Sequence, residues 1–219
     1  LALEGSMLKK GIEAIMPVSS NILLVGSFSI AIIVFLLADR FRVPVSLTIA
    51  FTSLLLGIGV ALGKGVNAVF VLVIFAFWIL MPLASIVSMP MILSAVEKRL
   101  RKGSIWQKVH VIKFSLILVS FFTSFTLGAN TLGLIYASFP FPNEAVKLLV
   151  SITAIVIGSI FISQGEIKRL GDEIISLRYV NALLSQFVSA IEVEIATLFG
   201  VPLSNTQTFT ASLYGIGYG

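Results

Sequence analysis

The last stretch of the chain, GVPLSNTQTFTASLYGIGYG (200–219), sets Ser204, Asn205, Thr206, Gln207, Thr208 and Thr210 within seven positions, behind a proline and ahead of a Gly-Ile-Gly step. These neutral side chains, with no Lys or Arg among them, cannot hold an anion by charge. They can surround a small ion with hydroxyl and amide groups. Proline is favoured in the first turn of a helix, where its missing N–H breaks no bond, so Pro202 predicts a helix start beside these groups. Such an end presents free backbone N–H groups and the positive pole of the helix dipole, and it binds anions. The glycines allow a tight turn or close contact with a neighbouring helix.

The same grammar occurs earlier. Residues 42–59 read RVPVSLTIAFTSLLLGIG, and a shift of 158 aligns them with 200–217. Val43/Val201, Pro44/Pro202, Ser46/Ser204, Thr48/Thr206, Phe51/Phe209, Thr52/Thr210, Leu55/Leu213, Gly57/Gly215, Ile58/Ile216 and Gly59/Gly217 are identical, ten pairs in 17 ungapped positions. A fainter echo relates EGSMLKKGIEAI (4–15) to QGEIKRLGDEII (164–175), with Gly5/Gly165, Gly11/Gly171, Glu13/Glu173 and Ile15/Ile175 shared. An internal duplication with interrupted apolar segments in corresponding places is the grammar of secondary transporters. In a single copy, Ser and Thr bonding back to their own helix carbonyls would explain the hydroxyls; two copies favour a site where two helix starts converge.

A third polar island, TSFTLGANTLG, lies inside the uncharged run 114–143. Gly128 and Ala129 are accounted for by close packing. Asn130 needs a partner in lipid; its carbonyl oxygen suits a cation or the closing of a broken helix.

These groups are positioned by a chain whose solvent is lipid. Of its 219 residues 58% are hydrophobic and only 11% charged, where soluble domains carry about a quarter; the mean hydropathy is +1.08. Runs 21–38, 43–63, 65–96 and 114–143 contain no Asp, Glu, Lys or Arg, and 148–163 and 179–199 are further candidates, the latter interrupted by Glu192 and Glu194. About 20 apolar residues cross the hydrocarbon core. The expectation is an all-α polytopic membrane protein with six or seven membrane elements. Six of the 15 basic residues, Lys98, Arg99, Arg101, Lys102, Lys108 and Lys113, fall in 97–113. Basic connections stay cytoplasmic, which orients that loop and leaves no need for nucleic acid as a partner. There is no cysteine, so thiolate metal sites are excluded, and no cofactor is expected.

Taken together, Gly-Ala-Asn at 128–130, Pro-x-Ser-x-Thr at 44–48 and 202–206 with Gly-Ile-Gly downstream, and WILMP at 78–82 resemble the inorganic phosphate transporter family over nearly the whole chain. The resemblance implies inverted repeats, broken helices and re-entrant Pro-x-Ser-x-Thr hairpins. It implies symport of phosphate with sodium or protons in the cell membrane, sulfate being carried by one branch, and a homodimer. By resemblance Ser46, Thr48, Asn130, Ser204, Asn205 and Thr206 bind the anion, while Asn130, Thr131 and Gln207 stand where the coupling ion is held. The division is then 1–96 for the later part of repeat one, 97–113 for the basic loop and 114–219 for the earlier part of repeat two, a central piece of a longer transporter.

The departures concern coupling. Family members carry Asp directly after Gly-Ala-Asn as a sodium ligand, and here that residue is Thr131. Gln186 stands where a Glu is frequent. Losing carboxylates favours protons over sodium and keeps sulfate open beside phosphate. Glu192 and Glu194, two apart, face different directions on a helix, and one of them is a candidate proton-coupling group. An enzyme would need a nucleophile–base pair or carboxylate dyad in a span; the single histidine, His110, sits in the basic loop. An anion channel built from paired half-helices, and a purely structural membrane subunit, are the rival readings.

Overall fold

A computed structural model of the chain describes residues 2–15, 21–41, 45–63, 65–100, 104–138, 143–162 and 179–218. Val43, Pro44, Lys64, Arg101, Lys102 and the upstream echo at 164–175 lie outside them. The described residues form only helices and their connections. These are α1 (Ala2–Ile15), α2 (Asn21–Arg40), α3 (Leu47–Ala61), α4 (Ala68–Leu100), α5 (Ile105–Leu127), a π-helical turn π1 (Gly128–Leu132), α6 (Gly133–Ser138), α7 (Glu144–Ile157), a second π turn π2 (Gly158–Ile162), α8 (Tyr179–Leu198) and α9 (Asn205–Tyr218).

Three of these stretches, Ala68–Arg99, Trp106–Tyr136 and Glu144–Phe161, are long and apolar enough to cross a membrane, and Leu23–Ala38 and Leu47–Ala61 are shorter apolar helices. Each of the six apolar runs read from the sequence contains helix: α2, α3, α4, α5 through α6, α7 with π2, and α8. The uncharged run 43–63 yields a helix of only 15 residues, because Ser46 starts it late and its C-cap, Leu62, ends it early. The outward faces are largely apolar: Phe121, Leu149 and Phe161 are among the most exposed side chains. The interior holds Ser27, Thr48, Thr52, Thr126, Asn130, Ser189, Glu192, Ser204 and Thr208. A surface of this kind is stable only against lipid, and the chain is an integral membrane protein.

The duplication survives as geometry. Shifted by 158, the bounds of α2 and α3 become those of α8 and α9, apart from the last residue of α9's counterpart. Each pair is a long helix, a short connection and a shorter helix. Helix α1 lies between the two units. Its Ile12 packs with Ala31, Phe51, Leu55 and Leu134 of α2, α3 and α6. One turn on, Ile15 packs with Ile74 of α4, Val193 and Ala196 of α8, and Val201 and Leu203 before α9. A third cluster, Met89 with Leu184 and Val188, seals α4 onto α8.

Two local expectations are corrected. Gly128-Ala129-Asn130 does not break its helix: α5, π1 and α6 run continuously, the extra residue of the π turn being absorbed with the carbonyl ladder kept, as π bulges do. The basic stretch 97–113 is largely helical, since α4 continues to Leu100 and Ser104 caps α5 with a reciprocal bond to Gln107; Lys98 and Arg99 sit in α4's last turn, where cations complement the dipole. Of the two uses open to the Gly-Ile-Gly steps, a turn or close helix contact, the structure shows the second. A Cβ on Gly59 would run into the carbonyl oxygen of Ile15, and one on Gly215 would lie 2.6 Å from that of Ile86, so one glycine of each step serves close helix contact.

Candidate functional site

The two shorter helices start alike, though not at the proline. Pro202 lies three residues before α9, and the helix is opened by Ser204, whose Oγ accepts from Gln207 N at 3.2 Å. Ser46, its equivalent, is extended (φ −81°, ψ 119°), and its Oγ accepts from Ile49 N at 3.4 Å. A serine cap spends acceptor capacity on the helix and keeps its O–H as a donor. The first N–H groups of each helix have no intrahelical partner. Each start therefore offers a hydroxyl and backbone donors under a positive dipole pole.

The π turn brings something from each start to one place. Thr131 Oγ1 lies 3.2 Å from Thr48 Oγ1, in the first turn of α3. Its neighbour Asn130, with no exposed surface, reaches the other side: Nδ2 donates to Thr197 Oγ1 at 2.8 Å and to the Val201 carbonyl at 3.1 Å, while Oδ1 accepts from Leu203 N at 3.1 Å. Thr197 in turn donates to Val193 O. The Asn130 amide thus ties π1 to the bend between α8 and α9, with both its N–H groups donated and one bond accepted at Oδ1.

The remaining candidates divide. Asn205 accepts from Ser189 at 2.7 Å through Oδ1, and Ser189 also lies 2.6 Å from Thr208 Oγ1, so these groups tie α9's first turn to α8. Thr206 is exposed. Gln207 donates from Nε2 to the Trp78 carbonyl at 3.1 Å, and its Oε1 is buried with no partner among the described residues. Buried amide oxygens are nearly always satisfied, which makes that oxygen the most conspicuous open acceptor near α9's start. Farther along the same helices, Thr52 Oγ1 is buried with no partner among the described residues, and Thr210 is exposed. Among the described residues no group of three His, Cys, Asp or Glu could hold a metal ion.

Several supporting residues carry little sequence signal. Trp78 is held at both ends: its Nε1 donates to Pro202 O at 2.9 Å, and its carbonyl takes the Gln207 amide. That carbonyl is free because Pro82, four residues on, has no N–H to give it. The Trp-x-x-x-Pro spacing in WILMP could have flagged it. Trp78→Phe keeps the packing and removes the indole bond; it is expected to lower stability by about 1 kcal/mol, read as the melting temperature of the detergent-solubilised full-length protein. An unchanged melting temperature would deny the indole bond its share. Gly200, at φ +69°, and Gly11 let the bend touch α1: the Gly200 carbonyl meets Gly11, and Met7 O lies 2.8 Å from where a Gly200 Cβ would be.

Comparison with known proteins gives a consistent set of likenesses. A model of the phosphate transporter family matches residues 96–219. A protein of Methanocaldococcus jannaschii, provisionally named a phosphate permease, is 27% identical over 221 residues, covering 97% of this chain and 69% of its own length. No solved structure matches.

Proposed function

Since this chain belongs to the phosphate transporter family, we propose that it carries inorganic phosphate across the cell membrane as a secondary transporter. The anion site lies where the starts of α3 and α9 face π1. The observation that carries this reading is the double reach of π1, with Thr131 on Thr48 and Asn130 on Val201 and Leu203. In this reading Ser46, Ser204 and Thr48 donate hydroxyls, and the N–H groups opening α3 and α9 supply further donors. Gln207 Oε1 accepts from a protonated phosphate oxygen. Asn205 and Asn130 hold the second start in place, Thr131 joins the first start to π1, and Thr206 meets the anion when the site opens to its surface. A cage of neutral donors suits a carrier, because it holds an oxyanion without the grip of a buried arginine and so allows release.

The two serines are equivalent by repeat and by geometry, so Ser46→Ala and Ser204→Ala are expected to weaken phosphate binding comparably. A hydrogen bond to a charged ligand is worth about 1.5–3 kcal/mol, which corresponds to roughly a ten- to hundredfold loss of affinity per site. Thr52→Val and Thr210→Val, a turn farther on, are expected to change it far less. Isothermal titration of the full-length protein with phosphate, sulfate and arsenate reads both affinity and anion choice. Unchanged phosphate affinity in a folded Ser46→Ala/Ser204→Ala variant would remove the site. Saturable, gradient-driven uptake separates the carrier from a channel of similar build.

A further inference from the structure

The interior of the α4–α8–α9 seam contains one carboxyl that the anion site does not use. Glu192 on α8 is 6% exposed, and its Oε2 accepts from Ser85 Oγ of α4 at 2.7 Å. Ser85 is completely buried. No ion pair reaches Glu192 among the described residues. Of the charged groups on the elements packed against α8, Glu97, Lys98 and Arg99 stand at the far end of α4, and Lys108, His110 and Lys113 at the start of α5. Lys9, Lys10 and Glu13 of α1 are exposed, and α9 and π1 contain no charged side chain. Glu194, on the same helix, is turned to a different face and is half-buried. Glu192 lies thirteen residues along α8 from Tyr179, roughly 20 Å at the helical rise. Tyr179 shares a groove with Lys113, so the carboxyl is well inside the apolar slab.

Its surroundings are built to respond. Pro82 and Pro90 bracket Ser85 and leave two carbonyls of α4, Trp78 and Ile86, without their intrahelical N–H. Helix α9 meets both, with the Gln207 amide on Trp78 O and Gly215 against Ile86 O. Helix α8 meets the segment between them through Glu192. Helices bend at such prolines. One turn before Glu192, Ser189 bonds Asn205 and Thr208 at the head of α9. The carboxyl therefore connects the bendable part of α4 with the helix that opens the anion site.

We propose that Glu192 is the proton-carrying group of this transporter, binding one proton where α8 meets the proline-bracketed segment of α4. This rests on the reading of the chain as a phosphate carrier. The step is a simple protonation, –COO⁻ + H⁺ → –COOH, with no other bond made or broken. As carboxylate, Glu192 can only accept from Ser85; as acid it can also donate, so the α4–α8 contact changes with the proton. The charge matters too. A carboxylate repels a bound anion through the low-dielectric interior, and its protonation removes that repulsion. Phosphate thus binds better to the protonated form, and by reciprocity the proton binds better to the phosphate-loaded form. That coupling is symport.

The test uses the full-length protein in liposomes with choline in place of sodium and the membrane potential clamped. Two quantities are read: exchange of labelled phosphate between equal internal and external pools, and accumulation driven by an inward proton gradient. Wild type is expected to do both, a gradient of about one pH unit supporting about tenfold accumulation per coupled proton. Glu192→Gln, locked in the neutral form, is expected to keep exchange and lose gradient-driven accumulation. Accumulation preserved in Glu192→Gln, or driven in wild type by sodium and not by protons, overturns the assignment; absent exchange in wild type overturns the phosphate reading itself. Should the variant fail to fold, a membrane-permeant carbodiimide applied to wild type decides. Mass spectrometry is expected to find the adduct on Glu192, with accumulation lost and exchange retained. No adduct there at any pH from 5 to 8 overturns it.

Discussion

Asn130→Leu is expected to cost the full-length protein about 3 kcal/mol or more of stability and to abolish phosphate binding. The substitution keeps the number and branching of side-chain heavy atoms but removes both donors and the acceptor of a fully buried amide. The losses that matter are the groups left behind. Leu203 N–H and the Val201 carbonyl belong to residues with no exposed surface, and each buried polar group stranded without a partner costs about 1–3 kcal/mol. Relaxation of the bend would satisfy them only by moving Ser204 and the first turn of α9, so stability and anion affinity fall together. Thr131→Val, one residue on, removes a single 3.2 Å contact to Thr48 and is expected to cost about 1 kcal/mol. Thermal unfolding of both variants, with phosphate titration of each, checks the contrast. Equal, small shifts would mean that the bend does not depend on the Asn130 amide.

Gly200→Ala is the second large expectation. A left-handed residue with a Cβ costs about 1–2 kcal/mol. The added carbon would also lie 2.8 Å from Met7 O, a backbone atom that cannot rotate away; overpacking of this kind adds about 1–3 kcal/mol. Gly11→Ala strikes the same contact from the other side, since its Cβ would run into the Gly200 carbonyl. The pair is expected to be non-additive: once α1 has moved away from the bend for one substitution, the second costs less. The melting temperatures of the two single variants and the double variant measure this. Additive losses would mean that α1 and the bend are not in register through these glycines.

The class of the protein was legible because lipid writes itself into composition. Long uncharged runs have one physical use, and the structure exposes their apolar side chains accordingly. The duplication was legible for a similar reason. Helix starts are set by local chemistry, a serine cap or a stretch of good helix formers, so two copies of the same letters fold to the same bounds. Even there the local rule fails at one residue. Proline favours a first turn, yet Ser204 caps α9 and Pro202, in the bend ahead of it, gives its carbonyl to Trp78. Propensity alone does not distinguish a proline in a first turn from one in the bend ahead of it.

Thus the residues by themselves determined the membrane solvent, the duplication, and two helix starts of polar character that follow prolines. Each follows from groups a few positions apart, or from the repetition of such groups. Which groups meet was decided by the tertiary structure, through partners that stand 67, 71, 73 and 83 residues apart for Asn130 and Thr131, 124 for Trp78 and 107 for Glu192. An asparagine in a lipid-facing sequence must find hydrogen bonds, but the sequence gives no reason to choose a bound ion over a backbone bend. Packing supplies the protein partners, by bringing Thr197, Val201 and Leu203 within reach of one amide. The same packing closed the α4–α8 seam over Glu192 and left it with a serine as its partner.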